Sequence, residues 1–429
     1  MIWLLGGYMW LFIHRPFEYW PILGTLQVER IYMILMLVYW AVVPRKGWLP
    51  NRLHLALIAF VAFLLISWLA SPYAEEGADT VENYAKVAVF YLLVVTTVRD
   101  EAGLRRLVQL YLGAVSLYMA HSMLEYYNGR YQWRQGISRM IGVDMTFSDP
   151  NAFAASLVFA LPLTLPFWSE RPRPVVRVLL LGFTVSVCAC VLLTGSRAGF
   201  VGLLLCGFLC LLVFGQGRRL AQRLTLLAAV AGVFAAAALV ALPESLQNRF
   251  LTLIDPSYGP KNAEESASGR LDGLLFGIEA WERSPLLGFG PSSFAYSTGR
   301  GGGAHNLYGQ ILSEVGLLGA LAFVGIVAGF GANWAEARRR ARRLPSRGRD
   351  LAFQVSRAVG LNVVLLLFLG WAGHNLYRYN WLWFASFQIV AVHCIRAKAS
   401  LPGAGRRLPY LVGPRRQTAG SALPGNTRT

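Results

Sequence analysis

The chain has 429 residues, of which 55% are apolar and 14% are charged, whereas soluble domains carry about 25% charged residues. This composition excludes a soluble enzyme and a disordered chain, and it indicates a membrane protein. An outer-membrane barrel is also excluded, because the apolar stretches are continuous and do not alternate residue by residue. The formal net charge is +18, but most of the basic excess lies in short runs between apolar segments. There the positive charges fix the orientation of the helices in the membrane. We therefore expect no nucleic-acid binding.

Successive apolar segments predict about 12 transmembrane helices, at roughly 20 residues per span. The first two segments are short for a full span. The expected fold is an all-α polytopic membrane protein. The segments lie at 1–13, 31–43, 53–70, 84–98, 107–122, 151–168, 175–194, 198–215, 224–242, 307–330, 351–372 and 381–395.

Basic residues recur in every second connection between these segments, for example at Arg99, Arg105 and Arg106. The positive-inside rule places these connections in the cytoplasm, together with both termini when the number of spans is even. The alternate connections face the periplasm or the cell exterior. The expected organisation is N-terminal transmembrane helices at 1–242, one large outer loop at 243–306, C-terminal transmembrane helices at 307–398 and a disordered cytoplasmic tail at 399–429.

The large outer loop is expected to be functional, because loops of this length are usually functional or disordered. Apolar side chains recur at helical spacing from Leu271 to Trp281 and predict a helix over 269–283 along the membrane surface. The turn-rich sequence SPLLGFGP follows at 284–291. The run GRGGG at 299–303 predicts a hinge directly before His305.

Two arginines of the outer side are candidate binding residues. Arg197 lies in TGSRAG at 194–199, on the side that the positive-inside rule keeps poor in arginine. Its functional interpretation is a guanidinium that binds a phosphate through two hydrogen bonds. The alternative is a snorkelling side chain that anchors a tight turn. Arg270 precedes the predicted surface helix, where a solvated surface charge is the alternative to a functional role.

His305 and Asn306 stand at the start of the apolar segment at 307–330. A histidine at this interface can take a proton from an attacking hydroxyl, and the alternative is interfacial packing with a capping bond. Glu314 follows after about two and a half helical turns, on roughly the opposite face, so a direct acid–base pair with His305 is not expected. As an intramembrane ionisable group it is itself a candidate site residue, or else a structural partner for a buried donor.

The tetrapeptide HNLY at 305–308 recurs at 374–377 and makes His374 and Arg378 further candidates. Asp149, Pro150 and Asn151 open another apolar segment, and helix capping explains them. The outer loops contain no Asp-x-Asp motif or acidic cluster that would indicate a metal site, and the sequence predicts no cofactor.

Taken together, these motifs resemble the O-antigen ligase and polymerase superfamily of bacterial inner membranes. The resemblance is strongest over 149–331. It rests on SRAG at 196–199, Arg270 ahead of a Trp-containing helix, SPLLGFG at 284–290, AHN at 304–306 and EVGLLG at 314–319. It implies the GT-C-like architecture of lipid-linked sugar transferases, in the bacterial inner membrane, with the active site facing the periplasm.

The resemblance also implies an activity. Ligases of this superfamily transfer a polysaccharide from undecaprenyl pyrophosphate to a sugar of the lipid A core in lipopolysaccharide biosynthesis, without a metal and with inversion. By motif, Arg197 and Arg270 would bind the donor pyrophosphate and His305 would activate the acceptor hydroxyl, with Asn306, Glu314 and His374 as further substrate-binding candidates. Two arginines can replace a metal ion in neutralising this leaving group. The implied partners are the lipid-linked glycan donor, the lipid A core acceptor and membrane lipids.

Three alternatives stay open at this point. A polymerase of the same superfamily uses the same donor and extends another lipid-linked glycan, and a related enzyme glycosylates protein hydroxyls. A transporter would place its charges near mid-bilayer, often in repeated halves, whereas the candidate charges here cluster at one membrane face. A structure in which Arg197 and His305 lie at different depths in the membrane, or have no cavity beside them, would favour a transporter.

Overall fold

The computed structural model describes residues 1–400, with gaps at 45, 135, 145–147, 215–221, 223–224, 226–231, 233–241, 256–257, 259–261 and 345–346. Most of the apolar segment predicted at 224–242, and the predicted disordered tail beyond 400, lie outside the described residues. The described chain is mostly helical, as the sequence predicts, and it contains one short hairpin.

The secondary structure follows the predicted apolar segments closely. The helices are α1 (Ile2–His14), α2 (Pro16–Tyr19), α3 (Pro21–Thr25), α4 (Val28–Val42), α5 (Leu53–Leu69), α6 (Ala74–Thr97), α7 (Glu101–Tyr127), α8 (Pro150–Ala160), α9 (Leu165–Ser169), α10 (Pro174–Leu193), α11 (Arg197–Phe214), α12 (Glu244–Leu251), α13 (Asn262–Arg283), α14 (Phe294–Thr298), α15 (Leu307–Ala341), α16 (Leu351–Gly370) and α17 (Asn380–Ala399). Short 3-10 turns lie at Leu161–Thr164 and Arg347–Arg349. The hairpin pairs β1 (Gln132–Arg134) antiparallel with β2 (Ile137–Arg139).

Several helices have the length and composition needed to cross a membrane. In the described part of the chain there are five: Glu101–Tyr127, Pro150–Ser169, Pro174–Leu193, Leu307–Ala341 and Leu351–Gly370. Three shorter apolar helices lie at Ile2–His14, Leu53–Leu69 and Arg197–Val213. These helices support a multi-pass membrane protein, and the total of about 12 spans stays a prediction.

The long helix α15 packs against four other helices, α5, α13, α16 and α17. Its neighbour α17 is buried on all sides, with Trp381, Trp383 and Phe387 at most 1% exposed. In contrast, α10 leaves a row of aliphatic side chains exposed, as expected of a helix at the lipid boundary. That row consists of Val175, Val178, Leu179, Leu181 and Val185.

The helix α15 is broken at Gly316, where φ is 60° and ψ is −161°. Only glycine adopts this backbone conformation readily. A Cβ atom at Gly316 would lie 2.6 Å from the main-chain oxygen of Leu286 and 2.6 Å from the main-chain nitrogen of Gly288. The turn-rich sequence at 284–291 therefore lies directly against the break.

The main chain of this turn-rich sequence satisfies the backbone groups that the break leaves without helical partners. The hydrogen bonds on the two sides of the break are Phe289 N–Ser313 O (2.8 Å), Gly290 N–Glu314 O (2.9 Å) and Leu317 N–Pro285 O (2.8 Å). Ser67 of α5 donates from Oγ to the main-chain oxygens of Leu287 at 2.6 Å and Glu314 at 2.8 Å. SPLLGFG and EVGLLG, which are separate in sequence, thus form one structural unit.

The helix predicted over 269–283 is present as α13, and it packs through its smallest residues. A Cβ atom at Gly277 would lie 2.5 Å from the Cα atom of Gly309, and one at Gly273 would lie 1.9 Å from the main-chain oxygen of Ala304. Such small residues let two helix backbones approach closely. The leucines of the predicted apolar stripe point elsewhere, since Leu271 and Leu275 are 49% and 51% exposed.

Candidate functional site

The sequence TGSRAG forms the tight turn between α10 and α11. Gly195 supplies a positive φ of 57°, and Ser196 Oγ accepts a hydrogen bond from the Gly199 N–H at 3.0 Å. Arg197 is the first residue of α11, and its Nη1 donates to Thr252 Oγ1 at 3.2 Å. The turn therefore fixes the position of Arg197 at a helix N-terminus.

Two further arginines bind the carbonyl groups of this turn. Arg139, from β2, donates from Nε to the main-chain oxygen of Thr194 at 2.8 Å. Arg249, from α12, donates from Nε to the main-chain oxygen of Gly195 at 2.7 Å. The hairpin and the outer loop thus both converge on the turn that carries Arg197.

Together with Arg134 and Arg270, these residues form a cluster of five arginines. Burial lowers the pKa of Arg270, and the charge of Arg197 lowers it further. Burial, with the charges of Arg197, Arg134 and Arg270, lowers the pKa of Arg249 to about 10. The pKa of Arg139 is lowered to about 10 by burial and by the charge of Arg249. The positive charges of the cluster repel one another, and a multiply charged anion bound among them would offset this repulsion. The arginine cluster is therefore suited to bind such an anion.

His305 lies between this cluster and the first turn of α15. Its φ of 46° is in the left-handed region, and its side chain is exposed. Asn306 caps α15, since its Oδ1 accepts hydrogen bonds from the Tyr308 N–H at 2.9 Å and the Gly309 N–H at 3.1 Å. The cap orients the chain so that His305 stands just outside the helix.

Asn306 also connects the three segments that carry candidate residues. Its side chain is 0% exposed, and Nδ2 donates to the main-chain oxygens of Arg270 at 3.2 Å and Trp371 at 3.4 Å. Asn306 therefore holds α13, α15 and the end of α16 in register. Asn306 therefore orients the site, and its buried side chain offers no surface to a substrate.

A cavity of about 350 Å³ opens beside His305. Its lining brings together the two HNLY sequences, because His374 also lies in its wall and the two imidazole ring centres are 5.4 Å apart. Further polar lining residues are Asp149, Asn151, Tyr377 and Arg378. Within the described residues, no three His, Cys, Asp or Glu side chains are grouped as a metal site would require.

His374 opens onto the cavity, although protein surrounds it on the other sides. Burial lowers the pKa of His374 to about 4, and the positive charges of His305 and Arg378 act in the same direction, against Asp149. The imidazole of His374 is therefore neutral near pH 7. Arg378 is held in place beside it, since Nη1 donates to Ser156 Oγ at 2.9 Å.

Three helix N-termini converge on this cavity. Asn151 of α8 and Ala198 of α11 line it, and His305 directly precedes the N-cap of α15. Helix N-termini carry partial positive charge and unpaired N–H groups, which favour a bound anion. Asp149, as predicted, caps α8 by accepting from the N–H groups of Asn151 at 2.8 Å and Ala152 at 3.1 Å.

Glu314 is buried below the cavity, with an exposure of 2%. Gln310 donates from Nε2 to Glu314 Oε2 at 3.3 Å, and the carboxylate also interacts with the Tyr377 hydroxyl and with the N–H groups of Ser292 and Phe294. Gln310 lines the cavity and Glu314 does not. The structure thus places Glu314 where a structural partner for buried donors is needed.

The structure brings Arg197, Arg270, His305 and His374 to one region, as the motifs suggested, but sequence reasoning missed Arg139 and Arg249. Both lie in connections that the predicted topology places on the outer side. The criterion that singled out Arg197, an arginine against the positive-inside rule, applies to both of them. Arg139 and Arg249 lie outside the motifs that carry the resemblance, so this criterion is the signal that could have found them.

Comparison with known proteins addresses the identity of this region. The family described as O-antigen ligase matches residues 178–324, a range that contains Arg197, Arg270, His305 and Glu314 and ends before His374. No curated protein matches the sequence. The resemblance seen in the sequence is thus confirmed over residues 178–324, where the chain is similar to the O-antigen ligase family.

Proposed function

We propose that the protein is an O-antigen ligase that transfers a polysaccharide from undecaprenyl pyrophosphate to lipid A core in lipopolysaccharide biosynthesis. The observation that carries this proposal is the arginine cluster beside a cavity that contains His305. The family match covers ligases and polymerases and is consistent with a lipid-linked glycan substrate. The proposed location is the bacterial inner membrane, with this site facing the periplasm and both termini in the cytoplasm.

The arginine cluster has the chemistry needed for the donor. Arg197 and Arg270 present guanidinium groups, which bind phosphate oxygens through paired hydrogen bonds. Arg139 and Arg249 add positive charge from behind the turn. As the glycosidic bond breaks, negative charge develops on the departing pyrophosphate, and fixed cationic donors stabilise that charge in the transition state. In this proposal the arginines perform the task without a metal ion.

His305 is proposed as the general base. The acceptor oxygen attacks the anomeric carbon on the face opposite the pyrophosphate, while the bond from that carbon to the phosphate oxygen breaks. The acceptor proton passes to the imidazole of His305, and undecaprenyl pyrophosphate leaves with the bonding electron pair. This single displacement inverts the anomeric configuration. A positioned base of this kind contributes about 10² to 10⁴ in rate.

His374 is proposed to orient the acceptor. Its low pKa keeps the imidazole neutral, so it can hydrogen-bond a sugar hydroxyl without adding positive charge next to His305. A protonated neighbour would lower the basicity of His305 and oppose proton transfer. The two HNLY sequences would then have distinct roles, one in proton transfer and one in binding.

The experiment that tests this function uses purified protein with an undecaprenyl-pyrophosphate glycan, supplied with lipid A core or with no second acceptor. Wild type is compared with His305→Ala and with the control His393→Ala, a histidine of α17 outside the cavity lining. Each reaction is repeated in excess EDTA, and the anomeric configuration of the product is determined by NMR.

A ligase transfers the glycan to lipid A core only, loses this activity in His305→Ala, keeps it in His393→Ala and in EDTA, and gives an inverted product. Glycan chains that lengthen without lipid A core would instead identify a polymerase. In a parallel reaction supplied with an acceptor protein, transfer to a protein hydroxyl alone would identify a protein-glycosylating relative. Absence of transfer to any acceptor would contradict the proposal and return the transporter alternative.

A further inference from the structure

A second polar cavity lies toward the end of α15 that is far from His305. It has a volume of about 630 Å³. Its described wall contains five arginines and one glutamate: Arg52, Arg339, Arg340, Arg343, Arg396 and Glu336. The positive-inside rule accounts for basic residues at one membrane face, but it does not require them to surround a cavity.

The cavity follows one face of α15. Gly329, Asn333, Glu336 and Arg340 line it, and their spacing of three or four residues places them on the same side of the helix. Arg343, which also lines it, follows just beyond the helix end at Ala341. The wall changes along this face from small and neutral residues inside the bundle to arginines at the helix end. The gradient matches the boundary between acyl chains and headgroups of a bilayer.

The positive charge of the wall exceeds the negative charge available to it. Arg396 donates from Nε and Nη2 to the two oxygens of Glu336, both at 2.7 Å, and Arg340 Nε lies 2.7 Å from the same carboxylate. One carboxylate is therefore shared by two guanidinium groups. Arg339 and Arg343 have no ion-pair partner among the described residues.

The wall also contains an unused hydrogen-bond donor. Asn333 is 5% exposed, and its Nδ2 has no partner in the described structure. The amide orientation follows from its neighbour, because Asn51 Oδ1 accepts from the Leu53 N–H at 2.9 Å and so offers Nδ2 to Asn333 Oδ1, also at 2.9 Å. Asn333 is thus left with its NH₂ group to donate, and a buried unpaired donor is costly unless a ligand satisfies it.

We infer that this cavity binds a phosphate-bearing anion, the headgroup of an anionic phospholipid. Guanidinium groups and an amide N–H₂ match phosphate oxygens, and the neutral inner end of the cavity accommodates the start of an acyl chain. The site is independent of the proposed transferase activity, since its residues lie apart from the histidine cavity and the arginine cluster. A soluble phosphate has the same chemistry, and the test below distinguishes the two sources.

The test measures lipid retention by native mass spectrometry on full-length protein released from nanodiscs of phosphatidylglycerol and phosphatidylcholine. Arg339→Gln with Arg343→Gln removes two lining arginines. Arg338→Gln with Arg342→Gln is the matched control, because it removes equal charge at equal spacing outside the lining. Asn333→Asp keeps the acceptor for Asn51 and replaces the unused donor by a carboxylate oxygen. A parallel arm compares the Tm in sodium phosphate and in sodium chloride at equal ionic strength.

The proposal expects selective retention of phosphatidylglycerol by wild type and by the control pair. It expects a loss of about tenfold or more in the lining pair, since two juxtamembrane positive charges are removed. It expects a comparable loss in Asn333→Asp, since a carboxylate oxygen there repels the phosphate. A Tm rise in inorganic phosphate that the lining pair abolishes, without lipid selectivity, would support the site and assign it to a soluble ligand. No lipid selectivity in wild type together with no effect of inorganic phosphate on Tm, or equal losses in the two pairs, would overturn the proposal.

Discussion

Asn306 donates a hydrogen bond from its side-chain amide to the main-chain oxygen of Arg270 at 3.2 Å, and it directly follows His305 in the chain. The same amide nitrogen lies 3.4 Å from the main-chain oxygen of Trp371. One buried side chain therefore sets the spacing between the proposed pyrophosphate-binding arginine and the proposed base. Small errors in such spacing reduce rates strongly.

Asn306→Asp is predicted to separate this positioning role from the helix cap. The variant keeps Oδ1 for the cap of α15, but it places a carboxylate oxygen against two carbonyl oxygens. We expect kcat to fall by about 10²-fold, with a smaller change in the KM for the donor. The control Asn128→Asp makes the same chemical change at an exposed site near Glu125. Unchanged turnover in a folded Asn306→Asp protein would refute the positioning role.

Arg197→Lys and Arg270→Lys are predicted to be almost as damaging as the alanine variants. Lysine keeps the charge but loses the planar pair of donors that fits phosphate oxygens. We expect kcat to fall by about 10² to 10³, the usual cost of losing a donor that stabilises charge in a transition state. Arg130→Lys is the control, because it makes the same chemical change at an arginine outside the cluster, which stacks over Tyr19. Glycan transfer is measured for each variant, and full activity of both lysine variants would contradict a bidentate clamp.

The lowered pKa of His374 predicts a specific dependence of stability on pH. The unfolded chain binds a proton near pH 6.5, whereas folded His374 does so near pH 4. The contribution of His374 to stability is therefore complete above about pH 6.5 and is lost as the pH falls toward 4. His374→Gln should flatten the decline of Tm in this window, as measured in detergent by scanning fluorimetry. Identical profiles of Tm against pH for variant and wild type would argue against a lowered pKa of His374.

Gly316→Ala tests the break in α15. A Cβ atom there meets main-chain atoms 2.6 Å away at a positive φ, so we expect a destabilisation of about 1 to 3 kcal/mol and reduced transfer. Gly331→Ala, in the same helix, has nothing within 4 Å of its new Cβ and should be neutral or slightly stabilising. The Tm of the two variants is compared, and equal effects would show that the break is not required.

Gly277→Ala tests the close approach of α13 to α15. The added methyl group would lie 2.5 Å from Gly309 Cα, so α13 must move and carry Arg270 with it. We expect a higher KM for the lipid-linked donor, by about tenfold, from the displaced arginine. Gly269→Ala, on the same helix with nothing within 4 Å, is the matched control. A KM unaffected by Gly277→Ala would separate this helix contact from donor binding.

The sequence predicts the helical class, and it singles out Arg197 as a candidate, because both signals are local. Apolar length identifies a span, and an arginine against the positive-inside rule identifies Arg197. The repeated HNLY makes His374 a candidate, but it does not predict that His374 lies beside His305. The two are 69 residues apart in the chain, and tertiary packing alone determines that their rings lie 5.4 Å from each other.

The packing of α13 shows why the sequence does not predict some of the contacts between helices. Its leucines gave a clear helical period, and the helix is present, but its close approach to the start of α15 is made by Gly273 and Gly277, which give no hydrophobic signal. In a lipid environment, close approach of backbones replaces the burial of large side chains as the basis of helix pairing. Periodicity of large residues therefore predicted the helix but gave no sign of the face that packs against α15.

The main-chain contact between SPLLGFG and the break in α15 also has a consequence for how related sequences diverge. Phe289 and Gly290 pair with Ser313 and Glu314 through main-chain atoms, so these contacts do not depend on which side chains the two stretches carry. Glycine is required at 288 and at 316, since each faces the other segment without room for a Cβ. Related sequences should thus keep these two glycines as a pair, at a nearly fixed separation, even where the intervening residues have drifted beyond recognition.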